Sequence, residues 1–151
     1  MIIPDVNLLV YAYDLRSPAH HKAVLWWEEC LSGAETIGLP LVVLFGFLRI
    51  VTNPQIFQEP YGIQEASAHI REWLAQPRAE LLETHAGHLD QTLKFLETVG
   101  IGGNLATDAQ IAALAIEYGA IVHTADSDFI RFPTLRWLNP MTGMKKPITN
   151  R

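Results

Sequence analysis

Short apolar runs alternate with longer segments of helical period along the whole chain, and this alternation constrains the fold more than any other feature. "MIIPD" reads as a first strand ending at Asp5, and "VNLLVYAYD" as the helix after it. "SPAHHKAVLWWEECLSG" is a second helix. Ser17 suits its N-cap, Pro18 its first position and Gly33 its end, with Ala23, Trp27, Cys30 and Leu31 as the apolar stripe. "ETIGLP" offers a strand, and Pro40 opens a strongly apolar helix that Asn53-Pro54 stops. "GIQEASAHIREWLAQP" is amphipathic through Ala66, Ile70, Trp73 and Leu74, and "RAELLET" reads as a strand. "HAGHLDQTLKFLETVG" is a helix through Leu89, Leu93 and Leu96, ended by Gly100. "ATDAQIAALAIEYG" is a helix capped by Thr107 and stopped by Gly119. "AIVHTA" is a strand apolar enough for burial on both faces, and "LRWL" is a last strand at the edge.

Strands separated by helices require crossover connections, so the expected class is α/β with a mainly parallel central sheet covered on both sides. In such folds the functional crevice lies beyond the carboxyl ends of the strands. Asp5 ends the first strand, and Asp126 follows the "AIVHTA" strand with Asp128 two positions on. Asp108 falls in the first turn of a helix, where the dipole favours a carboxylate by about 0.3–1 kcal/mol. Taken singly, Asp5 could cap a helix, Asp108 could serve the dipole and Asp126 could be a turn residue. Converging, the carboxylates would repel one another and their pKa values would rise, unless a cation neutralised them. Hard oxygen donors suit Mg²⁺ or Mn²⁺.

The other residue types narrow the chemistry. The single cysteine, Cys30, lies on the apolar side of its helix and reads as a buried thiol. His20 and His21 are adjacent and face different ways, and His123 within an apolar strand reads as a satisfied core histidine, so zinc has no ligand set. No apolar run reaches the ~18 residues of a membrane helix. The start of the chain has neither a basic leader nor a small-residue cleavage site, so a cytoplasmic protein with no signal peptide and no membrane association is expected. A length of 151 residues suits one domain spanning 1–151. The net charge of −5 argues against nucleic acid at first sight. From Arg131 onward, however, the five charged residues are all basic: Arg131, Arg136, Lys145, Lys146 and Arg151. This tail is either a solvated terminus or a rim for a polyanion.

"IIPDVNLLVYAYD", "LRIVTNP" and "ATDAQIAALAIEYGAIVHTADSDFIRF" occur in an order that resembles PIN domains, and more narrowly the VapC-type toxins of bacterial toxin–antitoxin pairs. The resemblance spans essentially the whole chain. It implies a PIN-like three-layer α/β/α sandwich and a Mg²⁺- or Mn²⁺-dependent endoribonuclease acting on RNA. It also implies inhibition by a small antitoxin protein, and a homodimer. Carried over by position, it makes Asp5, Asp108 and Asp126 the metal ligands. Asp128 becomes an additional catalytic acid, reaching the metal through water or orienting the nucleophile. Asn7 and Thr124 match positions that support these acids by hydrogen bonding. The family usually has a glutamate just before the "LR" stretch, and here that position is Gly46, which removes one ligand and puts two-metal catalysis in doubt. Arg49, one turn along, either contacts phosphate or reaches out from the core.

Two rival readings come from other classes. One is a catalytically weakened PIN-like module that binds RNA or antitoxin without cutting. The other is a phosphatase or receiver-like domain using Asp5 as phosphoryl acceptor, which lacks the second aspartate or late lysine such proteins use. "HHKAVLWWEECL" and "EWL" also carry more tryptophan than one small core obviously needs, which predicts exposed aromatic contact with antitoxin or a second copy.

Overall fold

A computed structural model describes residues 1–146; Arg151, the last of the basic tail residues, lies outside them. Five strands form one sheet: β1 (Ile2–Pro4), β2 (Ile37–Pro40), β3 (Ala79–Leu82), β4 (Ile121–His123) and β5 (Trp137–Leu138). Their order is β3-β2-β1-β4-β5, and every neighbouring pair is parallel. Six helices flank the sheet: α1 (Val6–Tyr13), α2 (His20–Ser32), α3 (Leu41–Val51), α4 (Ile63–Leu74), α5 (His88–Val99) and α6 (Leu105–Glu117). The expected three-layer α/β/α class is therefore the observed one.

The topology positions the candidate site. From β1 the chain winds outward through β2 and β3, then returns to lay β4 against the other side of β1. Loops leaving the carboxyl ends of β1 and β4 diverge to opposite sides, and such a switch point opens a crevice in a doubly wound sheet. Asp5 follows the last residue of β1, Asp126 lies just beyond β4, and the register pairs Pro4 with His123. The Asp5 amide closes the junction by donating to the His123 carbonyl at 2.8 Å.

The tryptophans are core residues, which corrects the expectation of an exposed aromatic patch. Trp26, Trp27, Trp73 and Trp137 are all buried. Trp73 is the hub: Phe47 sits 4.8 Å away and Trp27 5.4 Å away, both edge-to-face. Its indole N–H donates to the Tyr13 hydroxyl at 2.8 Å. Edge-to-face pairs add about 0.5–1.5 kcal/mol beyond the area they bury, so this aromatic cluster ties α1, α2, α3 and α4 into one layer. His123 is the satisfied core histidine expected: the Trp26 indole donates to its Nδ1 at 3.0 Å, and burial lowers its pKa to about 4. The Cys30 thiol is buried and pushed up to about 12, which rules out a reactive thiolate at neutral pH.

Three local expectations shift. Helix α2 starts at His20, because Ser17 closes a turn ahead of it: its hydroxyl accepts from the Ala19 amide and its carbonyl from His20. Helix α6 starts at Leu105, so Thr107 lies within its first turn and is not its cap. Helix α5 buries Thr92 and Phe95, while Leu89 and Leu93 are exposed. The larger Phe95 ring takes the core position, 5.8 Å from Phe132. Gly100 ends that helix in the left-handed conformation, at φ 73°, as its position predicts.

Candidate active site

A cleft of about 640 Å³ opens at the switch point, and Asp5, Asp108 and Asp126 all line it. Each arrives from a different element. Asp5 caps the junction of β1 and α1, Asp108 stands in the first turn of α6, and Asp126 precedes the 3₁₀ turn Ser127–Arg131. Asn7, Gly46 and Arg49 line the same cleft.

Thr124 organises two of the three acids. Its buried hydroxyl donates to Asp5 Oδ2 at 2.8 Å and accepts from the Asp126 amide at 2.9 Å. Asp126 Oδ1 in turn accepts from the Asp128 amide at 2.8 Å, capping the 3₁₀ turn. Asp5 and Asp126 are thus each held by one oxygen, which leaves the other free of side-chain partners among the described residues. Asn7 lines the cleft, but its side chain makes no hydrogen bond to an acid among the described residues, unlike Thr124.

Asp128 is placed differently from the other three. It does not line the cleft, and Arg131 Nε donates to its Oδ1 at 3.0 Å in an ion pair about half exposed to solvent. Arg49 resolves the other way from a core anchor. It is exposed, it lines the cleft, and among the described residues its guanidinium makes no ion pair. Sequence reasoning missed Phe45, which also lines the cleft and is 63% exposed. The apolar run that contains it hid its exposure.

The electrostatics are those of carboxylates crowded into one partly buried cleft. Burial pushes Asp5 up to about 6, against the Thr124 hydrogen bond that pulls it down. Burial again, then the charges of Asp5, Asp126 and Asp128, push Asp108 up to about 7. The donor set is all carboxylate oxygen, which fits Mg²⁺ or Mn²⁺ and not a softer metal. Among the described residues no group of three or more His, Cys, Asp or Glu side chains is arranged to hold a metal ion.

Two outcomes follow. Unfolded aspartates release their protons near pH 4, whereas Asp5 and Asp108 release theirs near 6 and 7 when folded. Between those values the folded state binds more protons, so both groups stabilise the metal-free protein below about pH 4 and progressively lose that contribution as pH rises to about 7. The Tm difference between Asp108→Asn and the parent should therefore be near zero at about pH 4 and reach its maximum above about pH 7; a pH-independent difference would count against the raised Asp108 pKa. Separately, Thr124→Val strips Asp5 of its donor and leaves the Asp126 amide unpaired. It should cost about 1–3 kcal/mol in denaturant unfolding, and a loss below the error of the measurement would show that the hydroxyl organises nothing.

The geometry has counterparts. The PIN domain family model matches residues 2–135. Ribonuclease VapC33 of Mycobacterium tuberculosis is 45% identical over 141 residues, covering 93% of this chain and 99% of that protein. Among solved structures, M. tuberculosis VapC20, described as a sarcin–ricin loop cleaving toxin, superposes with a TM-score of 0.67 at 17% identity, covering 86% of this chain and 93% of that one. VapBC2 from Rickettsia felis, solved bound to a promoter DNA fragment, matches with a TM-score of 0.63 at 23% identity, covering 92% of this chain and 98% of that one. The α/β/α sandwich and its acidic cleft define a PIN domain, and the chain belongs to that family, within its VapC ribonucleases. No helix among the described residues is long and apolar enough to cross a membrane.

Proposed function

We propose that this chain is an endoribonuclease, the toxin of a toxin–antitoxin pair, whose cleavage of RNA depends on Mg²⁺ or Mn²⁺. The carrying observation is that Asp5, Asp108 and Asp126, from three separate elements, line one cleft at the switch point of the sheet. Relatives named as VapC ribonucleases and neighbours solved as VapBC complexes support the activity and the antitoxin partner. Residues 1–151 form one domain in this reading.

Asp5, Asp108 and Asp126 would hold the ion. When bound, the ion supplies positive charge to the scissile phosphate and acidity to an attacking water. The protein's own part is to hold the carboxylates. The Thr124 hydroxyl fixes Asp5 and, through the Asp126 amide, the start of the following turn. Near neutral pH, Asp5 and Asp108 carry part of a proton each, so they would release protons to hold a cation and would hold it more tightly as pH rises. Asp128 lies outside the cleft, paired with Arg131, and acts on the site through its charge or by leaving that partner. Arg49 offers a cation to a phosphate of the substrate. RNA with exposed bases suits such an open cleft better than a duplex. The exposed Leu89 and Leu93 on α5 supply an apolar surface for a homodimer, and the setting is the cytoplasm.

The direct test incubates the purified protein with total RNA in Mg²⁺, Mn²⁺ or chelator and sequences the new ends. Metal-dependent ends at a restricted set of sites are expected. RNA left intact under both metals would sink the enzyme reading, and intact RNA that is nonetheless bound would establish the weakened binding module.

A further inference from the structure

Helix α3 divides its faces sharply. Val43, Leu44, Phe47 and Val51 are buried in the core. Val42, Phe45 and Arg49, at i, i+3 and i+7, line the same cleft as Asp5, Asp108 and Asp126. Phe45 is exposed and enters no aromatic pair among the described residues, although Phe47 two positions on packs against Tyr13 and Trp73. Exposing a phenyl ring gives up about 1.5–3 kcal/mol of burial, so its position needs a reason. Arg49 stands one turn away with no ion pair among the described residues, in the cleft that the three aspartates also line.

We infer that Phe45 is a base-stacking platform: a nucleotide of single-stranded RNA seats its base on the Phe45 ring and its phosphate on Arg49, next to the scissile position. The inference rests on the nuclease reading and adds a specificity-determining residue to it. The chemistry fits a nucleotide in both halves. Aromatic rings accept any base through its π-face, and a guanidinium takes the adjoining phosphate. A cleft of about 640 Å³ has room for a ligand of that class, for which about 300–1,000 Å³ is usual. A duplex keeps its bases stacked on each other and offers none to the ring, so the platform selects unpaired RNA. The exposed Leu41 extends the apolar surface along the same helix away from the cleft, and a protein partner on Phe45 is the competing occupant that the test has to separate.

The experiment uses an Asp108→Asn background so that RNA is bound without being cut. A fluorescein-labelled mixed-sequence single-stranded RNA is titrated by anisotropy, with a duplex of equal length as control. Phe45→Ala should weaken single-strand binding about tenfold, the size expected for one lost stack. Phe45→Trp should keep or improve parental affinity, and duplex binding should not change. Arg49→Ala should weaken binding to both RNAs and flatten its salt dependence. Light scattering on each variant reads the oligomeric state. Single-strand affinity in Phe45→Ala equal to the parent would overturn the stacking platform while leaving the nuclease reading intact. A loss that Trp fails to rescue, accompanied by a change of oligomeric state, would make Phe45 a protein-contact residue. Failure of the parent to bind or cut single-stranded RNA would overturn both readings together.

Discussion

Asp108→Asn should abolish RNA cleavage and stabilise the metal-free protein in the same stroke. A ligand that positions a catalytic cation carries several kcal/mol of transition-state stabilisation, so its loss is expected to slow cleavage on the order of a thousandfold. The gain in stability comes from the other side of the same design. Asp108 is half-buried, and burial first, then the charges of Asp5, Asp126 and Asp128, raises its pKa to about 7. An asparagine keeps the shape and removes the charge. Discounted for the solvent that still reaches the side chain, the relief should raise Tm by about 2–5 °C above pH 7. Asp126→Asn is a less clean probe, because Asp126 Oδ1 also caps the turn through the Asp128 amide. Its repulsion is relieved, but a weaker acceptor replaces the carboxylate at the cap, so a smaller gain is expected. Thermal melts in chelator and cleavage assays in Mn²⁺ measure the two halves separately. An Asp108→Asn protein that is inactive but also markedly less stable would mean that the carboxylate serves α6 and not a cation.

That opposition between stability and function is what makes a candidate site readable in the sequence. Asp5 and Asp126 stood out because each follows an apolar strand where a parallel sheet opens its crevice, although singly Asp5 could cap a helix and Asp126 could be a turn residue. Asp108 could not be told from a dipole-favouring residue by local pattern alone; only its convergence with the other two gives it meaning. Side-chain orientation within an element was harder to see. Helix α3 reads as uniformly apolar, so nothing in its period distinguished Phe47 in the core from Phe45 in the cleft. Three buried tryptophans looked like too many for a small core because their mutual packing, with Phe47 and Tyr13, is a tertiary fact without a periodic signature. Asp128 matched the motif by position, yet the tight 3₁₀ turn after Asp126 directs its carboxylate to Arg131, three residues on. Motif spacing identifies which residues belong to a site; turn geometry decides which of them point into it.

Gly46→Glu tests this distinction at the position where the family's usual ligand is missing. Gly46 lines the cleft, so a longer side chain there has a path toward the acids. The obstacle is the first atom of that side chain. A Cβ on residue 46 would lie 2.9 Å from Val6 Cγ2 and 3.4 Å from Val6 Cγ1. Val6 is buried and β-branched, and in a helix its χ1 is close to fixed, so it cannot swing aside. Glycine at 46 is therefore what lets α3 approach α1 beside Asp5, and this contact outweighs the ~1 kcal/mol that glycine gives up to alanine inside a helix. Gly46→Ala and Gly46→Glu should each cost about 1–3 kcal/mol from overpacking. Val6→Ala, which removes both methyls, should also destabilise on its own by leaving a cavity. The combination Val6→Ala with Gly46→Glu should lose clearly less than the sum of its parts, because the new Cβ enters the space the methyls vacated. In that background the added carboxylate can reach the cleft, and calorimetry should find Mn²⁺ bound more tightly than by the parent. The Val6 methyls obstruct Gly46→Glu alone, so the double variant is the one that decides. If it folds and binds Mn²⁺ no better than Val6→Ala, position 46 does not address the cation, and the cleft works with the three aspartates it has.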